Sequence, residues 1–141
     1  MTAPSTQLAA GKILIIDDQE IELQLCKITF QNISTELSLL TFNSGESALE
    51  YLRTTGKNEK IRLMLLDLKM PKMDGLGVLE TIQHEQLKQY PIVIFTTSRL
   101  QNDRHKALEL GADDFLEKPV DLNDNMTLFR KLLRTYGDDR P

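Results

Sequence analysis

Five short apolar runs punctuate the chain, and each stops at polar residues. Lys12-Ile13-Leu14-Ile15-Ile16 ends at Asp17-Asp18, Leu63-Met64-Leu65-Leu66 at Asp67, and Ile92-Val93-Ile94-Phe95 at Thr96-Thr97-Ser98. Two weaker runs are 37–42 and Phe115-Leu116, the latter followed by Glu117-Lys118-Pro119. Short stretches that are apolar at every position suit strands covered on both faces. Between them, apolar residues recur at helical spacing. The first such set is Ile21, Leu25 and Ile28. Ala48, Leu49 and Leu52 follow Ser44 as cap, and Leu76, Leu79 and Ile82 follow Asp74-Gly75. Leu100, Ala107 and Leu108 lead to Gly111 as stop. Leu122, Met126, Phe129, Leu133 and Tyr136 follow Asp121 as cap.

Strict strand–helix alternation predicts an α/β fold with a parallel five-stranded sheet, because a parallel pair needs a crossover and a helix supplies it. Right-handed crossovers divide the helices between the two faces. In open sheets of this kind, ligands sit beyond the carboxyl ends of the strands. The residues just after each strand therefore carry the chemical information.

Composition narrows the function classes. The 141 residues fit one domain, read as an arm over 1–11, a domain over 12–136 and a tail over 137–141. A net charge of −4 without a basic patch argues against direct nucleic-acid binding. No run reaches the roughly 18 apolar residues of a membrane helix, and the start lacks a signal-peptide pattern. One cysteine, Cys26, excludes an internal disulfide and fits a reducing cytoplasm. It reads as a small buried hydrophobe. Met64, Met70 and Met73 read as space fillers, and His84 and His105 as exposed helix residues.

The strand ends bring together Asp17, Asp18, Asp67, Thr96 and Lys118. Three carboxylates at one edge repel one another and call for cationic compensation. Lys118 supplies one charge and a hard divalent cation two. Mg²⁺ suits carboxylates, waters and phosphate oxygens, so Asp18 and Asp67 read as its ligands with Asp17 in support. An ionised carboxylate beside a cation can attack phosphorus without a separate base, giving an aspartyl-phosphate. The metal, Lys118 and the Thr96 hydroxyl would then hold the equatorial oxygens.

Asp17-Asp18, the stretch from Asp67 through Lys69, Pro71, Asp74 and Gly75, Thr96, and Lys118-Pro119 together resemble the receiver domain of bacterial two-component response regulators. The likeness runs from Lys12 to about Tyr136. It implies a flavodoxin-like (βα)5 sandwich with strand order 2-1-3-4-5. It implies that Asp67 is the phosphoacceptor, and that Asp17, Asp18, Asp67 and the Lys69 backbone carbonyl hold Mg²⁺, with Mn²⁺ able to substitute. Thr96 would be the switch hydroxyl, Lys118 the phosphoryl-binding lysine with a cis bond to Pro119, and Phe115 the ring that turns inward on activation. Lys69 and Ser98 take the two positions that tune dephosphorylation. Neither orients water well, so the resemblance implies a moderate to long phosphoryl lifetime.

The same likeness implies a cytoplasmic, single-domain regulator phosphorylated by a sensor histidine kinase or phosphotransfer protein. Such a regulator signals by protein binding to a downstream protein, without multiple-turnover catalysis, nucleic-acid contact or membrane insertion. The chain ends soon after the fifth helix, so output is expected at the surface. The face of the fourth helix, fifth strand and fifth helix is the expected place, with Leu128 and Leu132 available to a homodimer seam. Two other readings remain open from the residues alone. One is a phosphohydrolase similar to the haloacid dehalogenase superfamily, against which Lys69 stands where a second acid is usual. The other is a degenerate docking module, against which the full set of strand-end residues stands.

Overall fold

The computed structural model describes residues 11–33 and 37–136. The expected arm, apart from Gly11, and the expected tail lie outside the described residues. Strand β1 is Gly11–Ile16, followed by α1 (Glu20–Ile33), β2 (Leu37–Phe42), α2 (Gly45–Arg53) and a short 3₁₀ turn at Thr55–Asn58. Then come β3 (Ile61–Leu66), α3 (Gly75–His84), β4 (Ile92–Thr96), α4 (Gln101–Glu109), β5 (Asp114–Glu117) and α5 (Leu122–Tyr136). All strand pairs are parallel, in the order β2-β1-β3-β4-β5. Architecture and strand order are those the sequence implies.

The continuous apolar runs are explained by burial on both faces. In β1, β3 and β4, Ile13, Ile15, Leu63, Leu65, Val93 and Phe95 point one way, into a core shared with Leu23, Cys26 and Phe30 of α1 and Phe129 and Leu132 of α5. Leu14, Ile16, Met64, Leu66, Ile92 and Ile94 point the other way, towards Ala48 and Leu49 of α2, Val78, Leu79 and Ile82 of α3 and Ala107 of α4. This alternation follows from the two-residue period of a strand. Phe129 is fully buried and stacks on Phe30 at a centroid distance of 4.5 Å.

The helix caps hold where the sequence places them. Ser44 accepts from the Ser47 N–H at 3.1 Å and Asp74 from the Gly77 N–H at 2.9 Å. Gly111, at φ +107°, follows the end of α4 in a conformation that favours glycine.

The buried faces of three helices differ at least in part from expectation, and on α4 Leu100 and Leu108 of the expected set are exposed while Ala107 is buried. On α1 the expected stripe faces outward, with Ile21 79% and Ile28 50% exposed. The buried side is Leu23, Cys26, Thr29 and Phe30. Helix α1 carries two apolar faces, and the inner one, which includes the buried Cys26, is interrupted by the polar Thr29. On α5 the expected Phe129 is buried and Leu133 and Tyr136 pack partly against the core, but Asn125 and Leu132 join the buried line and Leu122 is exposed. Leu132 therefore belongs to the core and is unavailable to a dimer seam, and Leu128 packs partly against the same core. A polar core residue shifted the apparent stripe: the Asn125 amide reaches the buried Thr29 hydroxyl at 3.5 Å.

Candidate functional site

Backbone ladders fix the strand ends at one edge. The Asp17 N–H donates to the Phe42 carbonyl and the Asp67 N–H to the Ile16 carbonyl, both at 3.0 Å. The Lys118 N–H donates to the Thr96 carbonyl at 2.8 Å. Each side chain just past these bonds leaves the sheet at the same rim. Asp17, Asp67 and Thr96 are all buried there.

The three aspartates converge as the sequence implies. Asp17, Asp18 and Asp67 each offer a carboxylate oxygen, and these lie within 4.8 Å of one another. Lys118 closes the other side. Its Nζ lies 2.5 Å from Asp17 Oδ2, 3.5 Å from Glu22 Oε1 and 3.6 Å from Asp67 Oδ2. Glu22, one turn into α1, is the acid that strand-end reasoning misses, because it belongs to a helix. One ammonium among four carboxylates leaves the pocket negative. Two carboxylate charges 4.8 Å apart repel by about 3.5 kcal/mol at an effective dielectric near 20.

Titration of the pocket follows from this crowding. Burial pushes the Asp67 carboxyl above its ordinary range. Lys118 pulls it back, Asp17 pushes it further up, and the Thr96 hydroxyl and Lys69 backbone N–H bonds lower it without reversing the shift. For Lys118, burial alone favours the neutral amine. The hydrogen bond to Asp17 and the charges of Asp67, Asp17 and Glu22 outweigh it and hold the ammonium above its usual value. Burial pushes the nearby Cys26 thiol up to about 12, so it behaves as the inert hydrophobe expected.

The donor set fits a hard divalent cation. It is all oxygen, and Oδ1 of Asp18 is buried without a hydrogen-bond partner. An orphaned carboxylate oxygen is costly in a protein interior, and a cation relieves that cost.

The remaining site residues are placed as follows. Thr96 is fully buried, and its Oγ1 accepts from the Ser98 N–H at 3.3 Å. Phe115 is already buried, with the Arg104 guanidinium 5.9 Å from its ring centroid. Ser98 and Lys69 both contact Asp103, at 2.7 Å and 3.2 Å. The Lys118–Pro119 bond is trans, since the described residues contain no cis peptide, and this corrects the cis expectation. Trans is the lower-energy isomer before proline by about 0.5–1 kcal/mol, and Lys118 reaches Asp17 with the bond in that form.

Gly75 is a second residue whose role the sequence hides. It opens α3 directly under the site, and its N–H donates to the Leu68 carbonyl at 2.9 Å. A Cβ there would collide with the Asp67 carbonyl oxygen and lie 2.8 Å from Leu68 Cα. Only glycine lets the helix approach the backbone that carries Asp67.

Comparison with known proteins agrees with this geometry. A family model described as the response regulator receiver domain matches residues 13–130. The alkaline phosphatase synthesis transcriptional regulatory protein PhoP of Bacillus subtilis (strain 168) is 32% identical over 123 residues. That alignment covers 87% of this chain and 48% of PhoP. The chain thus spans about half the length of such curated relatives. The two-component response regulator ORR5 of Oryza sativa subsp. japonica is 29% identical, with 89% of this chain and 90% of that protein covered. Among solved structures, the phosphorylated cyanobacterial phytochrome response regulator RcpA superposes with a TM-score of 0.81 at 25% identity, covering 90% of this chain and 94% of that one. The Mn²⁺-bound form of response regulator Rcp1 gives 0.80 at 26%, covering 93% and 97%.

Proposed function

The chain belongs to the response regulator receiver domain family, and from that premise we propose that Asp67 accepts a phosphoryl group from a phosphohistidine. The donor would be a sensor histidine kinase or a phosphotransfer protein. One observation carries the reading: Asp17, Asp18, Asp67 and Lys118 meet in a single pocket at the strand ends, with a buried carboxylate oxygen of Asp18 left unpartnered. In the proposed step an Asp67 Oδ attacks phosphorus, the P–N bond to the donor imidazole breaks, and the imidazole leaves with its electron pair. Asp17, Asp18, Asp67 and the Lys69 carbonyl would hold Mg²⁺, or Mn²⁺ in its place. When bound, the cation neutralises charge on the transferring group. Lys118 pairs with one phosphoryl oxygen and the Thr96 hydroxyl with another. Thr96 is well placed for this because it ends β4 at the same rim and its hydroxyl favours the ionised Asp67 carboxylate.

The output would be a surface change read by a downstream protein in the cytoplasm, rather than repeated turnover of substrate. Among the described residues no helix is long and apolar enough to cross a membrane. Relatives such as ORR5 and RcpA, over 90% or more of whose length this chain aligns, support action as a single receiver unit, here residues 12–136. The outward stripe Ile21, Leu25, Ile28 begins three residues after Asp18, and fully exposed Val120 stands two residues beyond Lys118. This apolar rim around the pocket suits the donor protein's docking. A purified sensor kinase that labels wild type and Ile21→Asp at the same rate would remove the stripe from the account.

Acetyl phosphate with Mg²⁺ tests the central step. The expected result is a mass gain of one phosphoryl group per chain, lost in alkali, absent in Asp67→Asn and abolished by EDTA. Release of many equivalents of phosphate per chain would support a phosphohydrolase instead.

A further inference from the structure

The two loops beside the pocket are joined by a carboxylate from outside it. Asp103 lies in the first turn of α4, and its Oδ2 accepts from the Ser98 hydroxyl at 2.7 Å. The same oxygen lies 3.2 Å from Lys69 Nζ. Ser98 is tied in turn to Thr96, whose Oγ1 accepts from the Ser98 N–H. Thr96 and the Lys69 N–H are both among the groups that favour the ionised form of the Asp67 carboxylate. The contacts run as a chain along the rim of the site: Thr96, Ser98, Asp103 and Lys69. The Asp103 side chain is 14% exposed and that of Lys69 60% exposed. The fixed member of the pair is therefore the carboxylate, and the mobile member is the lysine.

Little else secures this end of α4. Its buried residue is Ala107, while Leu100 is 60% and Leu108 40% exposed. The Asp103 contacts, with the Arg104 bond to the Phe115 carbonyl at 3.2 Å, take the place of apolar packing.

We propose that Asp103 is a positioning residue that holds Lys69 and Ser98 back from a phosphoryl group on Asp67, and so sets how fast that group is lost to water. A phosphoryl group brings a charge of about −1.5 to −2 within reach of Lys69, two residues from its attachment point. Asp103 competes for the same ammonium. While Asp103 wins, the space beside phosphorus stays open to an attacking water. When Asp103 is neutralised, Lys69 turns to the phosphoryl oxygens, and its ammonium and methylene stem cover that approach. Hydrolysis then slows.

The inference rests on the proposed phosphorylation of Asp67, and its test separates the two. Wild type, Asp103→Asn, Lys69→Gln and the double variant are labelled with acetyl phosphate and Mg²⁺, the donor is removed, and loss of the label is followed by intact mass. Failure of wild type to take any label overturns the function itself. Given labelling, Asp103→Asn is expected to lengthen the lifetime about two- to fivefold, the range for releasing a partly exposed ion pair. The double variant is expected to match Lys69→Gln alone. Asp103→Glu, which restores the charge, is expected to return the lifetime towards wild type. An unchanged or shortened lifetime in Asp103→Asn overturns the proposal. So does equal lengthening in the Lys69→Gln background, because that effect would not pass through the lysine.

Discussion

Helices α5 and α4 flank neighbouring parts of the sheet and are held by opposite means. Helix α5 buries Asn125, Phe129 and Leu132, and its Phe129 ring touches both Phe30 and Phe95. Helix α4 buries Ala107 and is pinned at its start by Asp103 and Arg104. A helix held by apolar area is indifferent to charge at the site. A helix held by carboxylate and guanidinium contacts responds to it, because a new anion competes for the same partners. The contrast places mechanical rigidity on one side of the pocket and sensitivity on the other.

The largest expected effect tests the rigid side. Phe129→Ala should cost about 3–5 kcal/mol in chemical denaturation, the range for a buried aromatic truncated to alanine. Leu108→Ala on α4 should stay within about 0.5 kcal/mol, as for an ordinary surface change. Similar losses at the two positions would break the comparison.

Gly75→Ala should come next. It overpacks the ground beneath Asp67 and should cost about 1–3 kcal/mol, measurable by the same denaturation. It should also slow labelling by acetyl phosphate, because the Asp67 backbone must shift.

A smaller effect concerns the pocket's own charge. The folded-state value of Asp67 lies above its unfolded one. Below the ordinary carboxylate range the group is protonated in both states and costs nothing. As pH rises through the raised value, the folded state must ionise a group that the unfolded chain ionises more readily, and stability falls. Metal-free Asp67→Asn should therefore melt at a higher temperature than wild type at neutral pH, with the gap closing in acid. A lower melting point at neutral pH would contradict the burial argument. The least visible effect is at Cys26, where a thiol pushed up to about 12 and buried should alkylate slowly in the native state and readily in denaturant.

The sequence made the sheet legible because its strands are buried on both faces, which leaves apolar runs with polar stops. The pocket was legible for the same reason: Asp17, Asp67, Thr96 and Lys118 are those stops or stand beside them. What escaped lies on helices. Glu22 and Asp103 reach the site from first turns, where an acid is ordinary on a helix regardless of function. The inner faces of α1 and α5 were hidden because the polar Thr29 and Asn125 occupy core positions that apolar periodicity skips. The trans bond before Pro119 was not legible at all, since both isomers are accessible to the same two residues.

The central claim is that one carboxylate among three receives the phosphoryl group. Protein labelled with acetyl phosphate and Mg²⁺ can be reduced with borohydride, which converts an acyl-phosphate into the alcohol, and then mapped by peptide mass. The account predicts homoserine at position 67 and unaltered aspartate at 17 and 18. Homoserine at either of those positions, or aspartate retained at all three despite labelling, would contradict it.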